Sequence, residues 1–235
     1  YSDRAMLIYG QALNRQQKPS ESRAVLASFA KVFPDSALVP EAQLAVARTH
    51  VMDGSWVSSI LEYNRWVTNN PGHPALPQAE FDLAWLNHQA GNQARAFQLF
   101  TNYVMRFPDN SLAPVAQKLV ADYLFHSGKF IEAEQGYRRL FEDTNLIANA
   151  RGIEWEARLS AGRSAFFRQE YKTAELLLAS VVNNTNAPIA DQARAEFYLG
   201  DVAADQTMRA PTNLLDALPH YQRVANEFTL SRLHS

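Results

Sequence analysis

Large apolar residues recur at three- and four-residue steps in three successive stretches of the chain: Trp56/Ile60/Tyr63/Val67, Ala96/Phe100/Tyr103/Val104/Phe107 and Phe130/Ala133/Tyr137/Leu140/Phe141. That spacing puts them on one stripe of an α-helix, so each stretch predicts an amphipathic helix with one buried face. Ahead of each lies another helical stretch, marked by small residues instead. Ala5, Ala42, Ala79, Ala116, Ala157 and Ala195 are each followed five residues later by glycine or alanine: Gly10, Ala47, Ala84, Ala121, Gly162 and Gly200. The alanines stand 37, 37, 37, 41 and 38 residues apart. A period in this range marks a solenoid, whose units are too small to bury their own apolar faces and stack on their neighbours. The predicted fold is an all-α solenoid of about six units, near 3–39, 40–76, 77–113, 114–154, 155–192 and 193–235.

Glycine and proline punctuate the units in the places this reading needs. Gly54, Gly91 and Gly128 fall between the two helices of the middle units, where a positive φ is cheap only for glycine. Between units, Phe33-Pro34-Asp35-Ser36 leads to Pro40-Glu41-Ala42, Asn70-Pro71-Gly72-His73-Pro74 to Pro77-Gln78-Ala79, and Phe107-Pro108-Asp109-Asn110-Ser111 to Pro114-Val115-Ala116. One proline ends a helix and another, six residues later, opens the next, where a missing N–H and a fixed φ are both favourable. The later units depart from this. Glu142-Asp143-Thr144-Asn145 and Val182-Asn183-Asn184-Thr185-Asn186 replace the proline signal, and about five extra residues sit around Met208-Arg209-Ala210-Pro211-Thr212-Asn213.

With Gly91, Ala96, Phe100 and Pro108 at the turn-glycine, small, aromatic and terminal-proline places, and Gly128, Ala133 and Tyr137 repeating them, the chain resembles tetratricopeptide repeats. The resemblance implies a right-handed superhelix and a protein-binding role. The units exceed the ~34 residues of that repeat. The longer units, with Phe-Pro-Asp-Ser loops and a following Pro-x-Ala, look like those of bacterial envelope proteins of the Tol-Pal cell-division coordinator and β-barrel assembly machinery lipoprotein type. This likeness implies a periplasmic or outer-membrane-associated location, with membrane association through an N-terminal anchor as one expectation. The chain starts without methionine, which suggests processing or a cut from a longer protein. An alternative is the helical platform of a larger envelope enzyme, such as a cell-wall lytic enzyme.

Composition narrows the partner. Lys+Arg of 22 against Asp+Glu of 24, with no basic block, argues against nucleic acid, whose phosphates require clustered cations. No apolar run reaches the ~20 residues of a membrane span. Cysteine is absent, which removes thiol nucleophiles, disulfides and thiolate metal sites. No Gly-x-Ser-x-Gly elbow, zinc-protease string or phosphate loop is present, so the chain reads as non-catalytic and without a cofactor. The pairs Glu132/Glu134 and Glu154/Glu156 lie two apart on helices and are expected on solvated faces.

A solenoid of helix pairs curves, and its first helices line the concave side. The groove-facing positions of the repeat fall on Leu44, Arg48, Phe81, Trp85, His88, Lys118, Asp122, Phe125, Leu159, Arg163 and Phe166. Aromatic rings and arginine in such a groove suit capture of a peptide segment or subunit, with Trp85 and Arg163 foremost. His50, His88 and His126 recur 38 residues apart and could converge as three imidazoles on a metal. They lack any accompanying His-x-x-x-His or acidic metal loop, and no metal site is assigned.

Overall fold

The computed structural model describes residues 2–150, 152–209 and 214–228, and helices follow one another throughout, with no strand among the described residues. The chain divides into two compact units, Tyr1–Tyr103 and Val104–Ser235. In the first, α1 (Asp3–Arg15) pairs with α2 (Pro19–Ala27) and the short α3 (Phe29–Val32), and α4 (Val39–Met52) pairs with α5 (Trp56–Asn69). Next come α6 (Leu76–Gln89) and the start of α7 (Gln93–Arg106). In the second unit, α8 (Ala113–His126) pairs with α9 (Phe130–Glu142), which the short α10 (Thr144–Ile147) follows. Then α11 (Glu154–Phe167) pairs with α12 (Tyr171–Val182), and α13 (Ile189–Arg209) with α14 (Leu218–Arg223). Each second helix also packs on the first helix of the following pair: α2 on α4 and α5 on α6 in one unit, α9 on α11 and α12 on α13 in the other.

The small residues make this double packing possible, and the two in each pair have different jobs. The leading alanine lies beneath the preceding second helix: Ala42 shares a core with Leu26 and Phe29, and Ala157 with Tyr137 and Leu140. Ala42, Ala79, Ala116, Ala157 and Ala195 are all buried, whereas Ala5, which no described helix precedes, is exposed. The second small residue lets a pair close on itself. A Cβ on Gly10 would stand 2.5 Å from Leu26, and one on Gly200 2.7 Å from Tyr221, both inside contact distance. Backbone carbonyls bared by this close approach are used: Ser22 Oγ donates to Gly10 O (2.7 Å), Ser59 Oγ to Ala47 O (3.2 Å) and Gln117 Nε2 to Gly136 O (3.0 Å).

Turns and loops follow the punctuation. Gly54, Gly91 and Gly128 hold φ of 67°, 80° and 74°. In the first and fifth pairs the same place is taken by Gln17 and Gln169, at φ 60° and 66°. A Cβ in this region is strained by about 1 kcal/mol, and the Gln17 side chain is exposed. Gln17→Gly is therefore expected to raise stability by about 0.5 kcal/mol, part of the relief being lost to the freer unfolded chain. Urea denaturation checks this, and an unchanged or lower midpoint would show the turn unstrained.

Pro40, Pro77 and Pro114 each sit in the first turn of α4, α6 and α8, at its second residue. Each preceding loop turns on a side chain that accepts the backbone N–H two residues on. Ser36 takes Leu38 N (3.1 Å), His73 takes Ala75 N (3.1 Å) and Asn110 takes Leu112 N (2.9 Å). Asn184 does the same for Asn186 (2.9 Å), so the proline-free loop keeps the turn by other means.

Three departures from the regular pattern have local causes. The second helix of the first pair breaks at Ser28, whose hydroxyl bonds back to Val25 O (2.8 Å). On α5 the buried indole is Trp66 (2% exposed), which donates to Pro40 O at 2.7 Å, while Trp56, placed on the stripe by spacing, is 37% exposed. The 41-residue interval accommodates α10, started by the Asp143 carboxylate on Asn145 N (3.0 Å) and plugged by buried Leu146. Of the insertion near Met208, the first two residues continue α13, and 210–213 lie outside the described residues.

Candidate functional site

The first helices of each unit present a face that their partners leave uncovered, and the candidate residues fall on these two faces. In the first unit Arg48 is exposed, Trp85 is 40% exposed, and Phe81 and His88 are half-buried. Arg48 and Trp85 help line a cavity of about 280 Å³ together with Asn14, Met52, Tyr63 and Asp82. Tyr63 O–H donates to Asp82 Oδ2 (3.1 Å), and Gln78 Nε2 donates to Asp82 Oδ1 (2.7 Å). Burial and the Asp82 charge push the Tyr63 hydroxyl's pKa far up, with the Arg48 guanidinium opposing. The phenol stays protonated and locks α5 to α6. Phe81 is held edge-on between Phe100 (5.5 Å) and Tyr103 (5.6 Å), so its ring is packing material. Trp85 leans on the His88 ring at 5.5 Å, and His88 Nδ1 bonds Gln93 Oε1 (3.0 Å). The accessible indole thus has a supported orientation.

In the second unit Lys118, Asp122, Phe125, Arg163 and Phe166 are all half-buried. Lys118 Nζ reaches Asp122 (3.0 Å) on its own helix and Glu156 (3.3 Å) on α11. Burial works against the ammonium, and the two carboxylates more than offset it, leaving the Lys118 pKa above its ordinary value. Asp122 also accepts the Tyr137 hydroxyl (2.7 Å), whose pKa burial and that carboxylate drive up. Phe125 meets Phe130 (5.4 Å) and Phe167 (5.5 Å) edge-on, and Phe130 and Phe167 stack at 5.2 Å. Phe166 contacts Phe167 (5.5 Å) and Tyr171 (6.5 Å). The Arg163 guanidinium lies 5.0 Å from the Phe125 ring centroid and 4.9 Å from that of Tyr198, between two aromatic faces.

A device that spacing alone did not reveal joins the pairs. Tyr63 donates to Asp82, Tyr137 to Asp122, Tyr171 to Asp205 and Tyr221 to Asp201, each time from a second helix to a first. Tyr137 and Tyr221 close their own pair, whereas Tyr63 and Tyr171 reach the next. The signal was present as an Asp six residues after Ala116 and again after Ala195. Its meaning needed the phenol opposite.

Other expectations are corrected. Leu44 and Leu159, projected into the groove, are 3% and 2% exposed and belong to the core, where neighbouring helices cover them. Glu134 is not on a solvated face: it is 5% exposed, bridged by Arg138 Nε (2.8 Å) and Arg168 Nη2 (2.7 Å). Glu154 buries one carboxylate oxygen and Glu156 pairs with Lys118, while Glu132 is exposed as expected. The three histidines are engaged separately. His50 Nδ1 accepts from Arg23 (2.8 Å), His88 bonds Gln93, and His126 Nδ1 donates to Asp122 O (2.6 Å). Among the described residues no three His, Cys, Asp or Glu side chains group as metal ligands. No described helix is long and apolar enough to cross a membrane.

The His50 contact has a measurable consequence. Desolvation first, then the Arg23 charge, lowers its pKa below the ordinary imidazole value of 6.5, with Glu62 and Asp53 partly opposing. The unfolded chain therefore takes up a proton that the folded one refuses, and this part of the stability, complete above pH 6.5, declines as pH falls below it. Melting temperature is expected to drop less from pH 7.5 to 5.5 in His50→Gln than in the wild type. A His50 NMR titration midpoint at or above 6.5 would contradict the assignment.

Residues 4–36, the first helix pair, match the tetratricopeptide repeat family. No curated protein sequence matches the chain. The fold is similar to that of a tetratricopeptide repeat protein from Parabacteroides merdae (TM-score 0.63, 12% identity, 96% of this chain and 79% of that one). It is also similar to the C-terminal part of a TPR repeat-containing protein from Cytophaga hutchinsonii (0.66, 14%, 93% and 77%). BtubC from P. vanneervenii gives 0.63 at 15% identity over 95% and 93% of the two chains. The arrangement of helix pairs is accordingly that of the tetratricopeptide fold, and residues 4–36 carry that repeat in sequence as well.

Proposed function

We propose that this chain is a non-catalytic protein-binding scaffold of a bacterial cell envelope, holding a peptide segment or a subunit against the uncovered faces of first helices in its units. The observation that carries the reading is the half-exposed Trp85 lining, together with Arg48, a cavity of about 280 Å³ on packed helices. Tryptophan and arginine dominate the energy of protein interfaces, and rigid support reduces the entropy lost on binding. The chemistry of this face calls for no cofactor. Envelope placement is supported by the resemblance of the proline loops, and attachment by an anchor outside these residues accords with it.

The test is capture from envelope extract on immobilised wild type and on a Trp85→Ala/Arg163→Glu variant of equal helicity and melting temperature. A partner retained by the wild type and reduced at least roughly tenfold on the variant is expected, as for loss of interface anchors. Equal retention would reject these faces as the binding surface. Fractionation of the full-length gene product tests the location, and recovery in the cytosol would reject the envelope reading.

A further inference from the structure

The leading alanine of a first helix is covered everywhere but on α1. Ala42, Ala79, Ala116, Ala157 and Ala195 are buried, and three of them share a core with two large side chains, three residues apart, from the preceding helices. The pairs are Leu26 and Phe29 over Ala42, Tyr137 and Leu140 over Ala157, and Leu178 and Val181 over Ala195. Ala5 is exposed instead, with Ile8 and Tyr9 beside it at 55% and 57% exposed. Together with half-buried Ala12 they make a stripe at the spacing of a buried helix face, although α1 already buries Leu7, Gly10 and Leu13 on its other side. Residues at the place of Tyr9 in later first helices include Leu83, Val120 and Ala161, all buried. Next to the stripe, Ala5, Met6, Tyr9, Val32 and Phe33 line a cavity of about 770 Å³.

The other half of such a contact lies on α14 and the π-helical turn after it, Val224–Phe228. Tyr221 and Val224 follow buried Ala217 by four and seven residues, as Tyr137 and Leu140 follow Ala133. They are the same large pair, yet both are only half-buried and the adjoining Ala225 is exposed. No described first helix comes after them. We infer that these two surfaces bind each other between copies of this chain, the Tyr221 and Val224 side of one copy lying across Ala5, Ile8 and Tyr9 of the next. Each surface supplies what the other lacks: a large pair to cover the alanine, and a small residue that lets the pair approach. The contact joins unlike surfaces, so each added copy leaves one of each open, and association continues past the dimer unless a ring closes.

The test is sedimentation velocity of the full-length gene product over a range of concentrations, with two surface variants, Tyr9→Glu on α1 and Ala225→Glu after α14. Both positions are exposed, and melting temperatures equal to that of the wild type verify that the helix pairs stay folded. The wild type is expected to gain mass as concentration rises. Either variant alone weakens association at least roughly tenfold, because a charge enters an apolar contact. Mixing the two variants restores a dimer of one copy of each and nothing larger, since each keeps the surface that the other has lost. A folding defect cannot imitate that rescue. Self-association that survives Ala225→Glu but not Tyr9→Glu would mean that α1 meets a different surface, and it overturns the inference. So does a wild type that stays monomeric throughout, or a mixture that does not associate.

Discussion

Replacing Glu134 with alanine is expected to lower the stability of the fold by about 3 kcal/mol. The carboxylate is 5% exposed and is gripped from two sides: Arg138 on its own helix at 2.8 Å, and Arg168, in the turn after α11, through Nε at 2.9 Å and Nη2 at 2.7 Å. Removing it strands two guanidiniums that were positioned around it. Both arginine side chains are about 30% exposed and recover some hydration, which places the cost at the lower end for breaking a buried ion pair. Glu134→Gln keeps shape and part of the hydrogen bonding and should lose less. The control is Glu132→Ala two residues earlier, exposed on the same helix and expected to stay within about 0.5 kcal/mol. Urea denaturation of the three variants decides it, and equal midpoints for the Glu132 and Glu134 variants would remove Glu134 from the architecture.

Gly162→Leu is expected to cost a comparable amount, about 3 kcal/mol, by forcing α11 away from α12. A Cβ built on Gly162 falls 2.8 Å from Leu178 Cγ and 2.9 Å from its Cδ2, and Leu178 is fully buried. The obstacle is the branch point of a packed side chain, so neither leucine can move aside without opening the core. Gly162→Ala should be milder, since overpacking by one methyl is offset by the ~1 kcal/mol that alanine gains over glycine in a helix. Trimming the opposing residue provides the decisive arm. Leu178→Ala in the Gly162→Leu background should recover a good part of the lost stability, and no recovery would mean that the loss does not arise at this contact.

Spacing alone located the helix pairs because burial needs a stripe at the helical period, and it located the turns because a positive φ and a helix start each favour one residue type. It also put Arg48, Trp85, Lys118, Asp122, Arg163 and Phe166 on faces that are not buried. It misplaced Leu44, Leu159, Glu134 and Trp56, and for one reason. A helical period assigns a side chain to a direction, whereas its burial depends on what the neighbouring helix brings to that spot. Glu134 looks solvated until Arg168, 34 residues on, is seen to reach it.

By itself, then, the sequence determined the all-α repeat, its small-residue register and its punctuated loops, since these depend on contacts between residues near in the chain or on a constant period. Only the tertiary structure decided which tyrosine meets which aspartate and which carboxylate is buried. It alone shows that Arg163 lies between two rings and forms no ion pair among the described residues. Those outcomes depend on pairings between residues 15 to 38 apart in the chain, and such pairings are settled by geometry and desolvation where the helices meet.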